Sequence, residues 1–356
     1  MRYPVLEINV GKIRHNAARV KELLLQAGIP RLVGVAKGTC AHPAVVRAML
    51  DGGVDAIGDS RVQNLEKLRQ AGVSCEMVLL RAPGPSQVTK AVEVADVSLG
   101  SDPGLFALLG KEAERKGKLH RVILMIDMGD LREGVWPSEA PEVARRIRDV
   151  PGLVLWGIGT NMACYGGVIP TREKMQSLLE VKEKIEDATG VPIQVVSGGN
   201  SANMKMVLAR DVPEGITELR VGESILLGTE AVRREQVPGC HRDAFKLKAE
   251  VIEVLSKPSK PVGEIGQDAF GRIPVYEDLG IRRRAIAATG RQDVDPDSLY
   301  PVDSGIRIVG ASSDHLILDV TEAENPVHPG HVVEFLVQYG TLLRASTSAY
   351  VEKVVV

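Results

Sequence analysis

Aromatic side chains are scarce, with four Phe, six Tyr and two Trp in 356 residues. That removes the stacking platforms on which single-stranded nucleic acid is held. Positive charge is not in excess either: 44 Lys and Arg stand against 46 Asp and Glu, for a formal net charge of −2. With no basic stripe, nucleic acid is not an expected partner. Cysteine is confined to Cys40, Cys75, Cys164 and Cys240, far apart and without paired metal spacing. No signal peptide is apparent, so a disulfide framework is not expected and a reducing cytoplasm is the simplest setting. His328 and His331 flank Pro329 and Gly330 and read as a turn, so no metal site is expected. No apolar run approaches the roughly 18 residues needed to cross a bilayer, which excludes a helical membrane anchor from the expectation.

What is present is the composition of an ordinary globular protein, 44% hydrophobic and 25% charged, long enough for two domains. Pro4 to Val10 alternates like a strand, and a helix follows with Ile13, Ala17, Val20 and Leu24 on one face. Apolar strand-like runs then recur at 32–36, 55–58, 76–80, 97–100, 122–126, 154–158, 193–196 and 217–221. Helical patterns separate most of them, among them 61–70, 103–116, 141–148 and 171–188. Eight strand and helix alternations predict an α/β fold, a closed parallel (β/α)8 TIM-type barrel over residues 11–228. An open doubly wound sheet would require a glycine-rich dinucleotide turn after its first strand, and none is present. Beyond Gly228, runs at 246–255, 282–288, 307–309, 316–320, 332–337 and 349–355 read as short strands split by Gly, Pro and Asp, with no long helical period. They predict a smaller, mostly β carboxy-terminal domain over 229–356.

In such a barrel the chemistry gathers where the strands end. The first run ends in Lys37, with Pro43 opening a helix close behind, so a buried strand delivers a lysine to its open end. The runs SGGNS (197–201) and RVGES (220–224) each stand just before a helix, where backbone N–H groups and the helix dipole hold phosphate. A strand-borne lysine, two phosphate-type loops and Arg220 at a further strand end together describe a site for pyridoxal 5'-phosphate.

The ordered set VAKGTCAHP, DAIGDSRVQN, IDMGDLREG, GIGTNMACYGG, SGGNS, ELRVGESILLG and GASSDH resembles the fold type III pyridoxal phosphate enzymes, the alanine racemase superfamily, and most closely its alanine/ornithine racemase-type branch. The likeness covers nearly the whole chain. It implies that Lys37 holds the cofactor as a Schiff base, that Ser201 with the amides of Gly222 and Glu223 holds the phosphate, and that Arg220 faces the pyridine nitrogen. Asn161 and Asn200 then line the ring and substrate, and Arg132 meets the substrate carboxylate. The likeness further implies that strand 1–10 joins the β domain and that a homodimer shares its active sites. The expected activity is interconversion of L and D forms of a free amino acid, by removal of the α-proton and its return on the opposite face.

The resemblance is incomplete at two places. The tyrosine that serves the second face in alanine racemases is absent, the matching stretch being Gly290, Arg291, Gln292 and Asp293. Ser313 and Asp314 are the favoured replacements, with Cys164, Tyr165 and Asp293 as alternatives. A second tyrosine, beside the phosphate, is replaced near Ala41. Both losses argue against alanine as substrate and favour a basic amino acid, whose distal ammonium Asp130, Glu133 or Asp268 is placed to meet. Two other classes stay open: a non-catalytic carrier of the cofactor, against which the extra β domain counts, and a lyase on the same scaffold.

Overall fold

The computed structural model describes residues 2–356. Strand β1 (Val5–Ile8) and helix α1 (Val10–Gln26) come first. A closed parallel barrel follows: β2 (Arg31–Val35), β3 (Ala56–Asp59), β4 (Glu76–Leu79), β5 (Val97–Gly100), β6 (His120–Met125), β7 (Leu153–Gly159), β8 (Val195–Ser197) and β9 (Glu218–Val221). Between and after these strands run α2 (Pro43–Asp51), α3 (Val62–Gln70), α4 (Val88–Val94), α5 (Pro103–Arg115), α6 (Ala140–Arg148), α7 (Arg172–Thr189), α8 (Met204–Ala209) and α9 (Glu223–Leu227). The expected barrel is therefore present. Its strands are apolar on both faces because helices cover the outside and a packed core fills the inside. Val33, Ala56, Val78, Val97, Leu99, Ile123, Met125 and Val195 form that interior layer, with Leu99 and Met125 each two residues beyond another member, as strand periodicity requires.

Local signals start and stop the helices. Asp102 accepts a hydrogen bond from the Leu105 amide at 2.8 Å, with Pro103 in the first turn of α5. Thr171 caps α7, and Gly190, at φ 68°, closes it in the left-handed conformation that glycine adopts without strain.

The amino-terminal ends of the barrel strands carry a ring of charge. Arg31 pairs with Glu76 and, through Nε at 2.7 Å, with Glu218, while Arg121 meets Glu76 at 2.9 Å. The Arg31 and Arg121 guanidinium carbons lie 5.3 and 4.6 Å from the centroid of the Trp156 ring, within cation–π reach. Trp156 in turn donates to Gln194 at 3.1 Å. These pairs form a network, which stabilises more than isolated surface pairs do.

The chain divides into two compact units, Val10–Arg242 and a second made of the residues through Asn9 with Asp243–Val356. The barrel unit thus extends fourteen residues past the expected end at 228, because the segment beyond Gly228 is tied to α1. Asn16 donates to the His241 carbonyl at 2.8 Å and accepts from the His241 amide at 2.7 Å, and His15 bonds the Gly239 carbonyl at 2.8 Å. The second unit contains β10 (Phe245–Pro258), β11 (Ile281–Ala287), β12 (Leu299–Pro301), β13 (Arg307–Ala311), β14 (Leu316–Asp319), β15 (Val332–Val337), helix α10 (Tyr339–Thr347) and β16 (Glu352–Val355). Its sheet runs β12-β15-β10-β11-β14-β13, and β1 pairs antiparallel with β10 and parallel with β16. The unit is mostly β, as expected, with one α-helix among the described residues, α10, that the sequence pattern did not show. Its sequence, YGTLLRAST, is too short and too polar to show a helical period, and its buried Thr341 is held by Ser298 and Asp295.

One buried group gives this fold a pH signature. His120, 1% exposed, bonds Ser98 Oγ at 2.9 Å. Burial first, then the nearby Lys118 and Arg121 cations, push its pKa to about 4, against the pull of Asp96. The folded state therefore refuses a proton that the unfolded chain accepts below its usual value near 6.5, so this contribution to stability is lost as pH falls from there towards 4. Urea unfolding at pH 7 and pH 4 is expected to show wild type losing on the order of 3 kcal/mol more than His120→Gln. Equal losses would contradict a neutral buried imidazole.

Candidate active site

Lys37 stands where β2 ends. The ladder continues one residue past the strand, Ala36 donating to the Gly58 carbonyl at 2.9 Å, and the chain then turns tightly over Lys37–Thr39. Cys40 and Ala41 hold φ of 53° and 46°, a left-handed conformation that costs non-glycine residues free energy and clusters at functional turns. Pro43 then opens α2. The lysine is half-buried. Burial lowers its pKa and the Arg132 cation lowers it further, opposed by Cys164, Asp59 and Glu133. A larger neutral fraction makes the amine a nucleophile and a base. Next to it, at the end of β3, Asp59 accepts from the Arg61 amide and Asn64, both at 2.9 Å, while its Oδ2 is buried without a partner.

The two loops expected to hold phosphate meet. Ser201 Oγ accepts from the Ser224 amide at 3.3 Å, joining the turn after β8 to the turn after β9. The Gly222 and Glu223 amides open α9, where N–H groups have no partner inside the helix. A Cβ at Gly222 would lie 3.1 Å from both Cβ and the carbonyl oxygen of Val35, so this turn approaches β2 closely enough for a side chain there to crowd Val35. The Glu223 side chain itself turns to Arg234 and Thr229. Burial pushes its carboxyl up, against the pull of Arg234. Asn200 donates to Asn161 Oδ1 and to the Met162 carbonyl, both at 2.9 Å, so the two asparagines predicted to line one site are in contact.

Arg220 is 4% exposed. It donates to the Thr160 carbonyl at 2.6 Å, to the Ser197 carbonyl at 3.4 Å and to the Ser197 hydroxyl. Burial lowers its pKa, with Glu218 the strongest opposing charge, yet a guanidinium keeps its proton in proteins. Ser197 Oγ donates onward to Glu218 Oε1 at 2.5 Å. Glu218 did not stand among the predicted site residues, and Ser197 entered only as the first residue of the SGGNS run. The signal was there in the ELR run, since residues two apart on a strand share a face.

Arg132 forms a two-pronged pair with Glu133 and a contact with Cys164 Sγ. Of the three acids considered for a distal ammonium, Glu133 has a cation, Arg132, as its partner, while the other two are tied to backbone amides. Asp130, 1% exposed, accepts from the Tyr165 amide at 3.0 Å and the Val168 amide at 3.2 Å. Burial raises its pKa, but the amides of residues 164–168 outweigh that and hold it low. Asp268 closes its own turn on the Phe270 and Arg272 amides. Both are committed to the backbone.

Ser313 and Asp314 belong to the second unit, where both are exposed. Asp314 Oδ1 accepts from Ser313 Oγ at 3.1 Å and meets His315 Nδ1 at 2.8 Å, and His315 followed by Ser313 lowers its pKa. His315 is an addition that the sequence pattern did not single out. Asp293, an alternative for the second face, is buried and accepts from Ser348 Oγ at 2.6 Å, a structural role.

These donors fit a phosphorylated pyridine aldehyde: an amine of lowered pKa, two abutting loops rich in N–H and hydroxyl groups, and a buried guanidinium. Thr160 Oγ1, buried beside them with no partner, is a further polar atom such a ligand would satisfy.

The lowered pKa of Lys37 has a direct test. In cofactor-free protein, an amine-reactive label applied across a pH series is expected to modify Lys37 at lower pH than the surface lysines, as read by peptide mass spectrometry. Coincident midpoints would refute the desolvated amine. Comparison with known proteins agrees with this chemistry. The model of the alanine racemase N-terminal domain matches residues 8–230. Ornithine racemase of Acetoanaerobium sticklandii is 41% identical over 99% of both chains, and lysine racemase of Thermotoga maritima is 42% identical, again over 99% of each. Among solved structures, the alanine racemase of Clostridium difficile 630 superposes with a TM-score of 0.74 at 17% identity, covering all of this chain and 96% of that one, a likeness of fold. The matched model spans more than half of this chain and the two relatives span nearly all of it, so the chain belongs to the alanine racemase family.

Proposed function

We propose that this protein is a pyridoxal phosphate-dependent racemase that interconverts the L and D forms of a free basic amino acid, ornithine or lysine. The observation that carries the reading is the half-buried Lys37, lowered in pKa, at the end of a barrel strand within electrostatic reach of Arg132 and Glu133. The full-length likeness to an ornithine and a lysine racemase supports the substrate class.

Pyridoxal phosphate, when bound, supplies a conjugated ring that spreads the negative charge left at the α-carbon. Lys37 holds the cofactor and moves the α-proton on one face. Ser201 and the Gly222 and Glu223 amides receive the phosphate, and Asn161 and Asn200 border the ring. Arg220, whose guanidinium keeps its proton, would face the ring nitrogen as a hydrogen-bond donor only, a partner that would favour return of the α-proton over loss of the carboxylate. Arg132 receives the substrate carboxylate. Because Arg132 is already paired with Glu133, a substrate bearing both a carboxylate and a distal ammonium replaces one ion pair by two. A neutral side chain leaves Glu133 unpaired, and an unpaired, partly desolvated charge is costly. The second-face proton is assigned to Ser313 and Asp314, with His315 completing the hydrogen-bonded row. The reading includes a homodimer with shared active sites, as the family resemblance implies, working in the cytoplasm with no nucleic acid, membrane or metal partner.

The first test is exchange of the α-proton. Incubated with pyridoxal phosphate and L-amino acids in deuterated water, the protein is expected to introduce deuterium into ornithine or lysine and to accumulate the D form. Bound cofactor without exchange would leave a carrier instead. Specificity has its own test: Glu133→Gln is expected to lower kcat/KM for ornithine about 10- to 100-fold relative to norvaline, which lacks the ammonium, a change of roughly 1.4–2.7 kcal/mol. Equal losses on both substrates would remove Glu133 from recognition.

A further inference from the structure

The buried Arg220 raises a question of charge. Its hydrogen-bond partners at the ends of β7 and β8 are two carbonyls and one hydroxyl, all uncharged. A guanidinium taken out of water needs a counter-charge as well as acceptors. Glu218, 0% exposed, stands two residues earlier on the same strand and the same face. Between them sits the Ser197 hydroxyl, which donates to Glu218 Oε1 and accepts from Arg220. A hydroxyl has one proton and two lone pairs. With its proton committed to Glu218, Ser197 can offer Arg220 only lone pairs, and the guanidinium is fixed in one orientation. Glu218 is itself fixed from below, its Oε2 taking Arg31 Nε at 2.7 Å. Arginine carries five N–H donors, more than these three acceptors use, so donors remain for a ring nitrogen.

We infer that Glu218 is a positioning residue of the racemase site: through the Ser197 hydroxyl it orients Arg220 and supplies its counter-charge, and so controls the hydrogen bond to the cofactor's ring nitrogen. The inference rests on the racemase reading for the identity of that acceptor. The surrounding charges are consistent with it. Arg31, Arg121 and Arg220 are set against Glu76 and Glu218 in the barrel interior and floor, so one positive charge is left over, and the ligand end of the barrel is where it is useful. Lys37, Arg132 and Glu133 lie at that end. Without Glu218, Ser197 is free to turn its proton towards Arg220. The guanidinium then loses both an acceptor and a fixed direction.

Three single variants and one double variant of the full chain, loaded with pyridoxal phosphate, decide the matter. Glu218→Gln and Ser197→Ala are each expected to lower kcat about tenfold while KM for the substrate stays within about threefold. Their combination is expected to be no worse than the more damaged single variant, because the two groups act in series. The absorbance of cofactor attached to Lys37 is expected to acquire a ring-nitrogen titration near neutral pH that wild type lacks. Glu76→Gln, which breaks the floor without touching the link to Arg220, is expected to lower the melting temperature and leave kcat and the titration unchanged. If Glu218→Gln does not fold, Ser197→Ala, which removes one oxygen, decides alone. Wild-type kcat and titration in Ser197→Ala would overturn the inference while leaving the racemase reading intact. Absence of covalent cofactor or of α-proton exchange in the wild type would overturn both.

Discussion

Keeping a permanently charged guanidinium inside a barrel is the constraint on which much of this structure depends. Arg220 cannot shed its proton, and at 4% exposure it cannot rely on water. Strands β7 and β8 answer by ending in the carbonyls of Thr160 and Ser197, and β9 by placing Glu218 two residues before the arginine. Glu218 then requires Arg31, Arg31 shares Glu76, and Glu76 holds Arg121. One buried charge near the ligand end is thereby linked, pair by pair, to the ring at the opposite end of the strands. Floor and site thus meet at Glu218.

The barrel was largely legible in the sequence because strands buried on both faces must be continuous apolar runs, and eight of these recur at barrel spacing. Lys37 was legible for the same reason, as a charge interrupting such a run at its end. Glu218 was not, since an acid at the start of a strand reads as solvated, and only the closed barrel reveals that it is buried. Asp130 misled in the opposite direction. It looked available to a cationic ligand, but a loop more than thirty residues away folds its amides onto the carboxylate. The compact barrel unit takes in fourteen residues after Gly228 that carry no helical or strand period, because their attachment to Asn16 is a long-range contact that local pattern cannot show. Ser313 and Asp314 were read from likeness; the structure adds the bond between Asp314 and His315.

Among enzymes that share this cofactor, the group opposite the ring nitrogen separates the outcomes. An acid there protonates the ring and lets it store charge for longer, which suits decarboxylation or transamination. An arginine there keeps the ring a weaker sink, so the proton has to return quickly. On the proposed reading, the Arg132–Glu133 pair adds a second filter. An unliganded ion pair that is self-satisfied resists ligands offering only one charge, and yields to those that offer two of opposite sign.

The packed interior layer and the ion-paired floor have a kinetic consequence. Val33, Ala56, Val78, Ile123 and their neighbours fill the barrel above the Arg31, Glu76, Arg121 and Trp156 ring, so the barrel is a vessel open at one end and not a pore. Whatever enters or leaves the site, solvent included, uses the end where Lys37 stands. On the proposed reading, a proton lifted by that lysine is in competition between two fates at a single doorway: recapture by the same molecule, or dilution into the water that exchanges there. The ratio of label gained from solvent to molecules inverted then measures the balance between those two fates.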